Sequence, residues 1–171
     1  GFSAEHLGPN DYYFWDDFWS VAGLRGAARL TDAAGKSEDS RLFAREADGF
    51  EKTIFDIIEK SPGHQSRGGI PASPYRRMDA GAVGSMVADY PLQLTPPKDS
   101  RIEKTLTYLM ENSFHNGGFF QDMIHSGINV YLTLALAQTL LRNEDPRAGD
   151  LVRTAADLAS PTGQWPEAIH P

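Results

Sequence analysis

The chain contains no cysteine among its 171 residues. That excludes disulfides, thiolate metal sites and cysteine nucleophiles together, and leaves the compartment open. Positive charge is also scarce. Lys and Arg number 16 against 23 Asp and Glu, a net charge of −7, and the densest basic pair, Arg76–Arg77, stands nearly alone. Phosphate backbones and anionic membranes need clustered positive charge, so neither nucleic acid nor a membrane surface is an expected partner. Long apolar runs are missing too. The longest, Ile128 to Leu141, is interrupted by Asn129, Thr133, Gln138 and Thr139, whereas a membrane span takes roughly 20 apolar residues. No signal peptide is visible at the N-terminus, which also lacks a starting Met.

Chemical signatures are equally sparse. The five histidines show no HExxH or comparable spacing, so no metal is expected. Gly68–Gly69 and Gly117–Gly118 are too short for a phosphate-cradling loop, and "GAVGSM" around Ser85 does not fit a nucleophile elbow. No cofactor is implied. What remains is one domain's worth of chain, 40% hydrophobic and 23% charged, the mix of a globular protein.

Helical periodicity dominates. Helices are expected over about 11–30, 38–59, 80–90, 100–111, 127–142 and 145–159, with Asn10 or Asp11, Ser37 and Asp79 as candidate N-caps. The fifth is nearly apolar all round, which signals burial among other helices. No strand is expected, and "VYLTLAL" reads as helix from its context. The six helices pair as three hairpins with short turns around Ala34–Gly35 and Asn143–Asp145. The connections between hairpins are long, glycine-rich and polar-aromatic, and such loops commonly carry function. The expected fold is therefore all-α, a single helical domain over 1–171.

Four patches fall on or beside these connections. The first helix opens Asp11-Tyr12-Tyr13-Phe14-Trp15-Asp16-Asp17-Phe18-Trp19, six aromatics and three carboxylates in nine residues. Aromatic faces stack on the C–H face of a sugar while carboxylates accept from its hydroxyls. The bland alternative is a dipole-complementing helix start with core aromatics. The second patch, "IPASPYRRMDAG", offers Tyr75, Arg76, Arg77 and Asp79. Its arginines could anchor hydroxyls or hold a carboxylate ionised, or be solvated neighbours of a helix cap. The third, "GGFFQDMIHSGINVY", offers Gln121, Asp122 and His125, with Asn129 as a buried amide in need of partners. In the fourth, "GQWPEAIHP", Trp165 stands beside Glu167, as an apolar neighbour does beside a general acid. An incidental Glu on a terminal loop is the alternative.

Taken together, "YYFWDDFWSVAGL", "GGFFQDMIHSGINVYLTLALAQTLLR" and "SPTGQWPEAIHP" resemble segments of the six-hairpin glycosidase superfamily. These are the α/α toroids of glucoamylase-like, trehalase-like and processing-glucosidase-like enzymes, and the resemblance covers most of residues 10–171. It implies a site at the mouth of a toroid and hydrolysis of a glycosidic bond. Glu167 would be a catalytic carboxyl, acid or base, and Asp16 or Asp17 would bind hydroxyls in the innermost subsite. Asp17 and Asp79 are the candidates to converge with Glu167. Trp15, Asp16, Tyr75, Arg76, Arg77, Gln121, Asp122, His125 and Trp165 would bind the carbohydrate. Inversion requires two carboxyls roughly 6.5–9.5 Å apart around a water. A full toroid has six hairpins and this chain has three, so the expectation is half a ring: a fragment of a longer enzyme, one half of a homodimer, or a degenerate module. A non-catalytic helical module binding carbohydrate or a protein is the competing reading.

Overall fold

The structure is a computed structural model that describes residues 2–3, 7–123 and 126–171. The helices follow the apolar spacing closely. α1 (Phe14–Ala33) buries Phe14, Phe18 and Val21, and α2 (Ser37–Lys60) buries Ala47, Ile54 and Ile58, both on the spacing of one helical face. They run back along one another after a turn in which Gly35 takes φ +73°. α3 is a single turn, Gly63–Ser66. α4 (Ser100–Asn112) buries Ile102, Thr105, Leu106 and Leu109; α5 (Val130–Arg142) packs on α6 (Ala148–Asp157).

The third expected helix is a 3-10 helix, Ala80–Ala88, with all nine residues buried. It packs against α1, α4 and α5 and so forms the hub of the core. Its sequence, AGAVGSMVA, explains both the burial and the winding. Side chains three apart eclipse in a 3-10 helix, and runs this long are uncommon; here most are small enough to do so without crowding. Asp79 caps it, its carboxylate accepting from the Gly81 N–H at 2.8 Å.

The expectation of an all-α chain is corrected in part. The protein is mainly helical, but it also carries a two-stranded ribbon, β1 (Phe2–Ser3) with β2 (Asp11–Tyr12), and a three-stranded antiparallel sheet, β3 (Phe114–His115), β4 (Gly118–Asp122) and β5 (Ser126–Ile128). The β3–β4 turn is Asn116–Gly117, with φ of +49° and +81°. Two successive left-handed residues match the right-handed twist of a hairpin, which is why Asn-Gly favours it. The same sheet shortens α5. Gly127 and Ile128 are strand, and Asn129 caps the helix instead of lying inside it, its Oδ1 accepting from the Leu132 N–H at 2.9 Å. At the other end of the chain, α1 begins at Phe14 with no side-chain cap. Asp11 is in β2 and accepts from Ser73 at 2.6 Å.

α5 departs from expectation in a second way. It is not buried all round: Tyr131, Leu134 and Leu141 are exposed on one stripe, opposite buried Thr133, Leu136, Ala137 and Leu140. Among the described residues no helix is long and apolar enough to cross a membrane.

Candidate functional site

The segment after α6 decides where the site lies. Ile128 and Ile169 exchange backbone hydrogen bonds of 2.8 and 2.9 Å, a single antiparallel bridge that lays the tail along β5. Gly127 permits this approach, since a Cβ there would stand 2.9 Å from the Ala168 Cβ and 3.1 Å from the Ile169 backbone. The bridge fixes Glu167 two residues upstream.

A cavity of about 270 Å³ opens beside it, lined by Trp15, Gln121, Met123, Asn129, Tyr131 and Glu167 among others. Three of the residues singled out in sequence, Trp15, Gln121 and Glu167, thus meet from α1, β4 and the tail. Gln121 is 97% buried, and its orientation follows from its neighbours. Asn129 Oδ1 is committed to the Leu132 N–H, so its Nδ2 must donate. It donates to Gln121 Oε1 at 2.8 Å. The amide end of Gln121 that lines the cavity therefore has donor character, with no protein acceptor among the described residues, a suitable partner for a hydroxyl oxygen. Trp15 is half-buried and lies edge-to-face with Trp19 at 5.9 Å.

Two further hollows continue this cavity. A groove of about 280 Å³ shares Trp15 and Tyr131 and adds Trp19, Met86 and Leu134. A shallower one, about 480 Å³, shares Tyr131 and Glu167 and adds Trp165. The Trp165 indole donates to the Ala155 carbonyl of α6 at 2.8 Å, which holds the ring in place. Glu167 is exposed, so the apolar enclosure expected around it from Trp165 is absent.

The other sequence candidates are placed elsewhere. Asp79 gives one oxygen to the Gly81 N–H and the other to Arg76, whose Nη2 and Nε lie 2.5 and 3.1 Å away. The Arg76 Nη1 donates to the Leu7 carbonyl at 2.8 Å and to the Tyr13 hydroxyl at 3.0 Å. Arg76 and Asp79 thus form a knot that ties the N-terminal segment to the start of the 3-10 helix, and neither lines the cavity. Asp16 accepts from Ser3 at 2.5 Å. Asp17 is half-buried, and burial, reinforced by the Asp16 charge, pushes its carboxyl above the usual range; it does not line the cavity either. Tyr75 and Arg77 are exposed. Asp122 lies on the opposite side of β4 from Gln121, in a hollow with His115 and His170. His125 lies outside the described residues. Among the described residues no cluster of three or more His, Cys, Asp or Glu side chains is set to hold a metal.

Tyr131 and Met123 were not legible as site residues from composition. Tyr131 could have been found on a helical wheel: with Val130, Thr133, Ala137 and Leu140 assigned to the core, Tyr131 heads the uncovered stripe at the end nearest the loops. Comparison with protein-family models, with curated proteins and with solved structures returned no match to this chain.

Proposed function

We propose that the chain is a carbohydrate-active, glycoside-hydrolase-like helical domain with its site in the cavity between α1, β4 and the tail. The observation that carries this reading is the meeting of Trp15, Gln121 and Glu167, from positions far apart in sequence, around a single cavity. Each supplies a different element of sugar recognition: an aromatic face, a fixed amide donor and a carboxylate. Glu167 is the catalytic carboxyl. As acid it protonates the glycosidic oxygen while the C–O bond breaks; as base it takes a proton from the attacking water.

The helical hairpins are read as half of an α/α toroid. The exposed apolar stripe of α5, with Trp19 and Leu30 exposed on α1, supports the reading, because helices inside a closed ring have neighbours on both flanks. A second carboxyl is required for inversion or retention. Among the described residues Glu167 is the single carboxylate lining the cavity, since Asp17 and Asp79 stand apart from it. That observation favours the second reading, a carbohydrate-binding module without turnover, for the chain acting alone.

Hydrolysis of a panel of aryl glycosides, read by released phenol, tests the proposal together with the mass of the protein in solution. Turnover lost in Glu167→Gln supports it. Turnover unchanged by that substitution would sink the assignment of Glu167. Saccharide binding by the cavity without turnover would select the binding module.

A further inference from the structure

The 3-10 helix ends on Asp89, whose side chain is fully buried. Its Oδ1 accepts from Arg142 Nε at 3.1 Å, while Oδ2 has no hydrogen-bond partner among the described residues. The hydroxyl of Thr139, three residues before Arg142 on α5, is buried and equally unpartnered. A carboxylate withdrawn from water and met by one charged donor is poorly compensated. Burial pushes this carboxyl above the usual aspartate range, against the opposing pull of Arg142 and of the nearby Thr139 and Thr95 hydroxyls.

The same guanidinium closes a loop. Arg142 Nη2 donates to the Thr95 carbonyl at 2.9 Å, so one side chain of α5 grips both ends of segment 89–95. Within that segment the Leu94 and Thr95 N–H groups both donate to the Ala88 carbonyl, at 2.7 and 3.2 Å. Further out, the Lys98 N–H donates to Asn143 Oδ1, and Lys98 Nζ pairs with Glu144. Lys98 and Glu144 are thus the charges at the rim. Among the described residues α1 and α4 offer Asp89 neither a hydrogen bond nor an ion pair. Tyr90 and Pro91, carried on the gripped segment, line the apolar groove beside the cavity.

We propose that Asp89 and Arg142 form a proton-operated clasp: acidification discharges the buried carboxylate, frees the guanidinium and loosens segment 89–95, with the Tyr90–Pro91 edge of the groove, while the helices stay folded. The direction of linkage separates this event from acid unfolding. An acid whose folded value is raised holds its proton more tightly folded than unfolded. Stability from this group is therefore gained as pH falls through the raised value and lost as pH rises through it. Protonation also turns the unpartnered Oδ2 into a donor, for which Thr139 Oγ1 is the buried acceptor at hand. The frame is thus not weakened by the step that opens the clasp. None of this depends on what the cavity binds.

Carbon-13 NMR of the aspartate carboxyls in the full chain, combined with amide exchange over the same pH series, tests it. The Asp89 carboxyl should titrate above the ordinary value of about 3.9. Across that midpoint the protection factors of the Leu94 and Thr95 amides should fall about tenfold, the lower end of what one hydrogen bond to a charged group is worth, while those of α4 hold. Asp89→Asn, permanently neutral, should show the low protection already at neutral pH and no further change on acidification. Arg142→Gln should move the Asp89 midpoint upward. Glu144→Gln should leave it in place, because the Lys98 ammonium already holds the Glu144 carboxyl below its usual range. Should Asp89→Asn fail to fold, the wild-type titration and Arg142→Gln still decide. An Asp89 midpoint at or below the ordinary value would overturn the clasp, as would unchanged Leu94 and Thr95 protection across it. A pH response that persists in Asp89→Asn would overturn it as well. So would loss of protection in every helix at the same midpoint, which is acid unfolding.

Discussion

The knot around Arg76 and the cavity around Gln121 are built from similar material, yet their polar groups end differently. Both combine charged or amide side chains with aromatics on glycine-punctuated connections. At Arg76 the carboxylate of Asp79, the Tyr13 hydroxyl and the Leu7 carbonyl all turn inward on one guanidinium. At Gln121 the Asn129 amide satisfies one end and leaves the other facing the cavity. A polar group consumed by its neighbours stabilises the fold; one left with a spare donor can recognise a ligand. Residue type does not separate the two cases. The count of partners does.

Substitutions in the two regions should therefore separate function from stability. Under the hydrolase reading proposed above, the largest effect belongs to Glu167→Gln, which should lower any hydrolysis about 10³-fold, within the range for an acid or base carboxyl, with Tm unchanged because the side chain is exposed. Next is Arg76→Met. It removes the donor to the Leu7 carbonyl and to one oxygen of Asp79, and chemical denaturation should show a loss of about 2–3 kcal/mol; an unchanged midpoint would show the knot to be dispensable. Asn129→Ala should cost about 1–2 kcal/mol as a lost helix cap and also free Gln121 to rotate. It is the one substitution expected to move both stability and saccharide affinity. The smallest effect is Asp99→Asn, outside both regions. The Arg101 guanidinium beside Asp99 holds its carboxyl below the usual range. The folded state thus favours the ionised form, and this increment is present above the ordinary aspartate range and lost as pH falls through the lowered value. Asparagine keeps the cap on the Arg101 N–H but has no charge to lose, so its acid unfolding should show a shallower slope below about pH 4.

Much of the frame was legible because it depends on local periodicity. The faces of α1, α2 and α4 follow from spacings of three and four, and Asp79 reads as a cap from its position before Ala80. The small sheet escaped for a physical reason: its strands are two to five residues long, too short for alternation to emerge, and its glycines read as loop. Asn116–Gly117 was the available signal. The site was legible in part. Trp15, Gln121 and Glu167 come together, while Asp17, Asp79 and Arg76 do not join them, because the pairing of Arg76 with Leu7 spans 69 positions and no local pattern encodes it. Likewise, α5 reads as buried all round from its composition, but burial depends on what lies on each side, and Tyr131 and Leu141 stay exposed among the described residues.

The bridge between Ile128 and Ile169 makes Glu167 a detachable part. Two backbone hydrogen bonds, each worth about 1 kcal/mol net, hold the tail at that point, so its release is a local event well below global unfolding. A sugar spanning Trp15 and Glu167 would fasten tail to helix. Occupancy of the site would then be written in the exchange rate of the Ile169 amide, and anything that pries the tail from β5 would carry Glu167 away from Trp15 while the helices stay folded.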